Sequence, residues 1–315
     1  MELKKQLQGR RKAGQLFVRF LAENLKTIGF KRSDSAPQFF FHPEKLVFIE
    51  LHYDDGNMCG PEIGLTTVID DMRMLELELT WSGVIAEGVE YSHLHRLRMQ
   101  QGGRATIRAN TKYADSCIKA LGLEGAKPCV TPSVIGRKPE FDDDEQLDGD
   151  STFLFRSCVG SLLYMAVDRK DVQYEVSLLS SFMSSPTKLA MVILRRVVRF
   201  LLGSRDFYVE WRKSPDADKQ VWKIEIDGFS DSDWATCRST RKSRTSIHIE
   251  VNGCALFSCS RAQDAIATSS GEAEFYAAAS CISEMVGMRE LFIFFGFEVS
   301  MRSLVDSAAA IGILR

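Results

Sequence analysis

Beyond residue 220, three stretches place carboxylates where a divalent-cation site could form. Asp231 and Asp233 sit two apart in Val221 to Trp234, a run that alternates as a β-strand does, so their side chains share a face. Glu272 and Glu274 fall in the first turns of a helix predicted from Ser270 to Phe295. Asp306 closes a short predicted strand, Met301 to Val305. Converging carboxylates repel one another unless a cation lies between them. Hard divalent cations take oxygen ligands. Two such ions can activate a water and stabilise the leaving oxygen in phosphodiester cleavage. That chemistry asks for several carboxylates and no thiols. Between the two glutamates, Ser269-Ser270-Gly271-Glu272 reads as a capping box, with Ser269 as N-cap and Glu272 at the third helical position. Residues two apart on a helix point roughly opposite ways, so Glu274 is expected to face the strands. A second acidic pair, Asp54 and Asp55, follows a predicted strand, Lys45 to Leu51.

The elements that would carry these groups can be read from periodicity. Phe17, Phe20, Leu21, Leu25 and Ile28 share one face of a predicted helix, Gly14 to Ile28, with Gly29 as a left-handed cap. Gln38 to Phe41 and Lys45 to Leu51 form a predicted hairpin across His42-Pro43-Glu44. The stretch 60–105 holds one helix near 65–77 and a hairpin or two. Tyr113, Cys117 and Leu121 mark a helix closed by Gly122. Residues 134–152 are polar and acidic and read as a linker. From 153 to 204 the pattern is helical. Val172, Val176, Leu179 and Met183 form one stripe, and Leu189, Ile193, Val197 and Phe200 form another. The last part reads as three strands, a helix, a strand and a helix, with Asn252-Gly253 as a hairpin turn.

Basic residues gather locally although the formal net charge is −2. Arg195 and Arg199 share a helix face and could contact the backbone of a hybrid duplex. Arg238, Arg241, Lys242 and Arg244 crowd a short loop beside the acidic strand and could hold phosphates. The helix pair also reads as a solvated face. The 8 cysteines lack metal-ligand spacing, which implies reduced thiols and an intracellular protein, cytoplasmic or nuclear. No apolar run is long enough to span a membrane. His93 and His95 read as neighbours on one strand face, and Trp81, Trp211, Trp222 and Trp234 as packing residues.

Gly228-Phe229-Ser230-Asp231-Ser232-Asp233-Trp234-Ala235 resembles the opening strand of the copia-type retrotransposon ribonuclease H. Arg241-Lys242-Ser243 is similar to its Arg-Lys-Ser turn, and Ser269 to Phe275 to its Ser-Ser-Thr-Glu-Ala-Glu-Tyr helix start. Leu304 to Ile311 resembles its strand-to-helix step. Upstream, Cys158 to Ala166, Phe182 to Thr187, Thr131-Pro132 and His52-Tyr53-Asp54-Asp55 resemble further segments of the same Pol polyproteins. His52 stands where that family has tyrosine, and Lys170 where it has proline.

The resemblance implies an α+β to α/β fold. A partial reverse transcriptase palm and thumb or connection region would precede a truncated ribonuclease H-like mixed sheet with flanking helices. It implies three parts: 1–133, a reverse transcriptase remnant; 134–219, an acidic linker and helical connection; and 220–315, the ribonuclease H-like domain. The family's nuclease acids fall on Asp231, Glu274 and Asp306, and its polymerase aspartates on Asp54 and Asp55. All five would be metal ligands, for Mg2+ or Mn2+. Tyr53 would lie near a primer terminus. The family's third palm aspartate and fourth nuclease acid have no counterpart here, which implies truncation at both ends and no polymerase activity in this chain alone. Expected partners are an RNA/DNA hybrid and other parts of a Pol polyprotein, with no membrane. The alternatives are a catalytically inactive remnant, a non-catalytic nucleic-acid-binding module, and a structural protein without nucleic acid.

Overall fold

The computed structural model describes residues 13–53, 55–75, 77, 79–133, 145–213, 222–237 and 239–314. The chain divides into two compact units, Met1–Ala86 with Glu290–Phe297 and Glu87–Arg289 with Glu298–Arg315. The first unit combines helices with an antiparallel sheet and the second with one antiparallel and one mixed sheet, so the class is α+β.

In the first unit, α1 (Ala13–Thr27) precedes a meander of β1 (Lys31–Arg32), β2 (Phe39–His42), β3 (Val47–His52) and β4 (Asp55–Cys59), closed by α2 (Glu62–Met74). Gly29 adopts φ 97°, and the Phe30 amide returns to the Leu25 carbonyl at 3.1 Å, which satisfies an orphan helix carbonyl. Leu25, Phe30, Phe40, Val47 and Val68 form the core. The apolar face of α1 differs from expectation. Leu21, Ala22 and Leu25 are buried, while Phe17 and Phe20 are exposed. Phe17 and Phe20 lie a turn apart on a flank that the small sheet does not reach.

The second unit opens with β5 (Tyr91–His93), β6 (Arg96–Gln101) and β7 (Arg104–Ala109). Their sheet is completed by β8 (Val209–Arg212), about a hundred residues on, which pairs antiparallel with β7. Leu94 and His95 form the β5–β6 turn, with φ 49° and 61°. His93 and His95 therefore do not share a strand face: positive φ at both turn residues is what a two-residue hairpin of the right twist requires. Between these strands run α3 (Lys112–Ala120), α4 (Gly149–Ala166), a 3₁₀ turn (Lys170–Val172), α5 (Gln173–Ser180) and α6 (Lys188–Gly203). The predicted helical stretch is broken on either side of α5. The Asp148 and Thr187 side chains cap α4 and α6 by accepting from the Ser151 and Ala190 amides. Phe155, Leu162, Val176, Leu194 and Leu201 are buried in one core. Beside it, the buried Arg169 binds both carboxylate oxygens of Asp171 and the carbonyl of Ser204, so its charge is paired.

The unit ends in a sheet of order β11-β10-β9-β12: β9 (Lys223–Asp233), β10 (Arg244–Val251), β11 (Cys254–Ala262) and β12 (Glu298–Leu304). Asn252 and Gly253, at φ 50° and 72°, make the β10–β11 turn. Strand β12 runs parallel to β9, reached through α7 (Ser270–Phe294). A helix, α8 (Ala308–Leu314), follows. Strand β12 begins three residues earlier than the periodicity predicts. Trp222 and Trp234 are half exposed, not packed away. The Trp234 indole N–H donates to the Ala267 carbonyl at 3.1 Å.

Candidate functional site

Strand β9, the start of α7 and the step from β12 to α8 converge at one place. One carboxylate oxygen each from Asp231, Glu274 and Asp306 lies within 4.8 Å of the others, the one such acidic, histidine or cysteine group among the described residues. Asp231 sits near the end of β9, paired with Ser246 of β10. Asp306 lies two residues beyond β12, just before Ser307, whose hydroxyl accepts from the Ala310 amide at 3.2 Å. That cap fixes where α8 begins, and with it the residue before.

The two glutamates of α7 divide their work as local physics predicts. Ser269 caps the helix, its hydroxyl accepting from the Glu272 amide at 3.1 Å. Glu272 reaches back one residue further than expected. It accepts from the Thr268 amide at 2.7 Å and hydroxyl at 2.6 Å, and from the Tyr276 hydroxyl at 2.7 Å. Those bonds favour its charged form and hold its carboxyl below the usual range. Glu274 turns toward the strands. One oxygen accepts from the Ser232 amide at 3.1 Å, and the other is buried without a hydrogen-bond partner. Burial raises its pKa, and the charges of Asp231 and Asp306 add to that, against the Ser232 hydrogen bond. A buried, unsatisfied carboxylate oxygen facing two more carboxylates offers the all-oxygen donors that hard cations take.

Asp233 is not part of the group: its carboxylate accepts from the Arg244 amide at 2.6 Å. The basic residues part company. In the turn, Ser243 is buried and its hydroxyl accepts from the Ala235 amide at 2.9 Å, while Arg241, at φ 57°, is exposed. Lys242 is partly buried. Arg244 turns inward: its guanidinium donates to the hydroxyls of Ser177 and Ser181 and lies over the Tyr174 ring, and burial lowers its pKa. Arg199 donates to the Lys127 carbonyl at 2.8 Å, and Arg195 is exposed. In the first unit, Tyr53 is exposed with φ 55° and Asp55 opens β4. Asp54 and Arg238 lie outside the described residues. The sequence reading did not find Ser232, Thr268 or Tyr276. Tyr276 had a signal, its spacing of four from Glu272 on one helix face.

These features define an α+β protein with an all-carboxylate cluster suited to divalent cations. No family model matches the chain. An uncharacterized mitochondrial protein of Arabidopsis thaliana is 28% identical over 240 residues, 76% of this chain and 93% of that protein. The retrovirus-related Pol polyprotein from transposon RE2 of Arabidopsis thaliana is 25% identical over 301 residues, 95% of this chain and 20% of that protein. Its counterpart from transposon RE1 is 25% identical over 289 residues, 90% of this chain and 18% of that protein. The chain thus spans about a fifth of the length of the Pol polyproteins it matches. Retrovirus-related Pol polyproteins of copia-type transposons are thus homologues of the chain, at 22–25% identity over about 90–95% of its length. Among the described residues no helix is long and apolar enough to cross a membrane.

Proposed function

We propose that the chain is a Pol segment whose final sheet and helices form a ribonuclease H-like domain that cleaves the RNA strand of RNA/DNA hybrids. The meeting of Asp231, Glu274 and Asp306 supports this reading most directly. In it, residues 1–133 are a reverse transcriptase remnant with Tyr53, Asp54 and Asp55 at its palm turn. Residues 134–219 are the linker and connection, and 220–315 the nuclease.

Asp231, Glu274 and Asp306 would hold Mg2+ or Mn2+. When bound, the cation supplies Lewis-acid polarisation of a phosphate oxygen and lowers the pKa of a water. The chain's own residues orient the site. The Ser232 amide fixes one oxygen of Glu274 and leaves the other toward the cluster. Thr268 and Tyr276 occupy Glu272, which keeps that second carboxylate out of competition. Arg241 and Lys242, beside the acidic strand, would hold the sugar–phosphate backbone. An A-form-like hybrid is read by shape and 2′-hydroxyls, so no base-reading motif is required.

The test is cleavage of a hybrid labelled on its RNA strand, with Mg2+ or Mn2+, against Asp231→Asn. The expected result is cation-dependent cleavage by the unaltered chain and a loss of at least about a hundredfold in the variant, the scale of removing a group that stabilises the transition state. Equal rates in the two proteins would refute the assignment.

A further inference from the structure

We propose that the indole of Trp234 is a stacking platform for the RNA/DNA hybrid, set at the end of the strand that carries Asp231. The proposal rests on the hybrid-binding reading above and adds to it a contact that carries no charge.

Trp234 follows directly on β9, three residues after Asp231. A single exposed apolar residue is ordinary on a protein surface and needs no function. Trp234 differs in being held. Its indole N–H donates to the carbonyl of Ala267 at 3.1 Å, and Ala267 is itself buried. The next residue, Ala235, is pinned through its amide to the hydroxyl of the buried Ser243 at 2.9 Å. The polar edge of the ring is thereby fixed, yet 47% of the residue stays open to solvent.

The anchor lies on the path to the acids. Ala267 precedes Thr268, which holds Glu272 in the first turn of α7. Trp234 thus reaches from the end of the strand that carries Asp231 to the approach of the helix that carries Glu274. On its other side the chain returns through Arg241 and Lys242 to β10. A nucleic-acid strand drawn to a cation at Asp231 meets the end of β9, where the ring is presented. The shallow minor groove of an A-form-like hybrid exposes sugars and base edges. Aromatic side chains stack on nucleotides with little regard to sequence. Tryptophan brings a large contact area for the ordering of only two side-chain torsions, and here the bond to Ala267 has already ordered them.

An uncharged platform and a phosphate-holding cation differ in their response to salt. Anisotropy of a labelled RNA/DNA hybrid, without divalent ions, reads the affinity of the full chain across a salt series. Trp234→Ala is expected to weaken binding by about ten- to a hundredfold, the range of a lost aromatic stack on a nucleotide. The slope of log affinity against log salt should match that of the unaltered chain, because no counterion release is lost. Trp234→Phe keeps a ring and removes the indole donor. It should bind within about threefold of the unaltered chain, well inside the loss of a whole stack. An unlabelled hybrid should quench the tryptophan emission of the unaltered chain, and most of that quenching should be gone in Trp234→Phe. In cleavage, Trp234→Ala should raise KM by more than it lowers kcat. Should Trp234→Ala fail to fold, Trp234→Leu keeps apolar bulk without a π face and is expected to weaken binding by about tenfold.

Unchanged hybrid affinity in the ring-free variant, or full quenching in Trp234→Phe, would overturn the proposal. Trp234→Phe as damaging as Trp234→Ala would overturn it too, since the bond to Ala267 and not the ring face would then set affinity. The expected pattern without hybrid cleavage by the unaltered chain would support the platform and remove the ribonuclease reading alone. An unaltered chain that binds no hybrid would overturn both.

Discussion

At Glu274, burial and two neighbouring carboxylates oppose ionisation. Its folded-state pKa lies above that of an unfolded glutamate, about 4.3. The sign follows from linkage. The protonated form is favoured by the fold, so this group adds stability below the unfolded pKa, and that contribution is lost as pH rises through the raised folded value. At neutral pH the cation-free cluster is a site of repulsion. Asp231→Asn removes one of the two charges facing Glu274. The expected result, by thermal melting at pH 7 without divalent ions, is a gain of up to about 1 kcal/mol, the scale of partly exposed charge interactions. The same variant should lose the rise in melting temperature that Mn2+ gives the unaltered chain. A drop in cation-free stability would show that the three carboxylates do not repel, and so do not meet in solution. Glu272 has the reverse sign. Its pKa is lowered by Thr268 and Tyr276, so its contribution is present above the unfolded pKa and fades as pH falls through the folded one.

Between elements, close approach matters more than charge. A Cβ on Gly228 of β9 would lie 2.2 Å from the Met285 sulfur and 2.7 Å from that of Cys281, both on α7. The helix therefore lies directly on the strand backbone, and this brings Glu274 within reach of the Ser232 amide. Gly228→Ala should cost about 1–3 kcal/mol by overpacking, measured by urea denaturation. Met285→Ala in that background should recover part of the loss, although alone it leaves a cavity. Strict additivity of the two would show that the groups do not touch. Gly228 also marks what the sequence could reveal. The capping residues of α7, the Asn252-Gly253 turn and the choice of Glu274 over Glu272 were all legible, because each is decided within a few residues. The need for glycine at 228 was not, since it comes from atoms on another element. Likewise, Phe17 and Phe20 share the helical period of α1, but which side of the stripe is covered depends on how far a sheet extends. In the stretch 60–105 the single helix and the hairpins follow the reading, but the pairing of β7 with β8, about a hundred residues later, does not. No local pattern announces such a pairing.

For the whole molecule the question is how a chain of net charge −2 would hold a polyanion. Overall charge gives no attraction, so the proposed binding must come from a local patch. The structure sorts the candidate cations by what they already touch. Arg244 is engaged within the second unit, where its bonds to Ser177 and Ser181 join β10 to α5. Beside it, Gln173 donates to the Ser258 carbonyl and Trp211 to the Ala255 carbonyl, each at 2.8 Å. These ties fasten the helical connection and β8 to the final sheet, so that part of the unit should lose structure together. Arg241 is exposed in the turn, and Lys242 is partly buried there. Two different outcomes follow. Arg244→Met should lower stability by about 1–3 kcal/mol, as expected when partnered polar groups are left unsatisfied, and should leave the salt dependence of hybrid binding unchanged. Arg241→Ala and Lys242→Ala should leave the melting temperature nearly unchanged. Each should reduce the slope of log affinity against log salt by about one, the signature of a lost phosphate contact. Fluorescence anisotropy of a labelled hybrid across a salt series, paired with thermal melts, measures both quantities on each variant. If Arg244→Met flattened the slope as much as the other two, its guanidinium would have to leave Ser177 for a phosphate on binding, and the tie between β10 and α5 would be a switch and not a fastening.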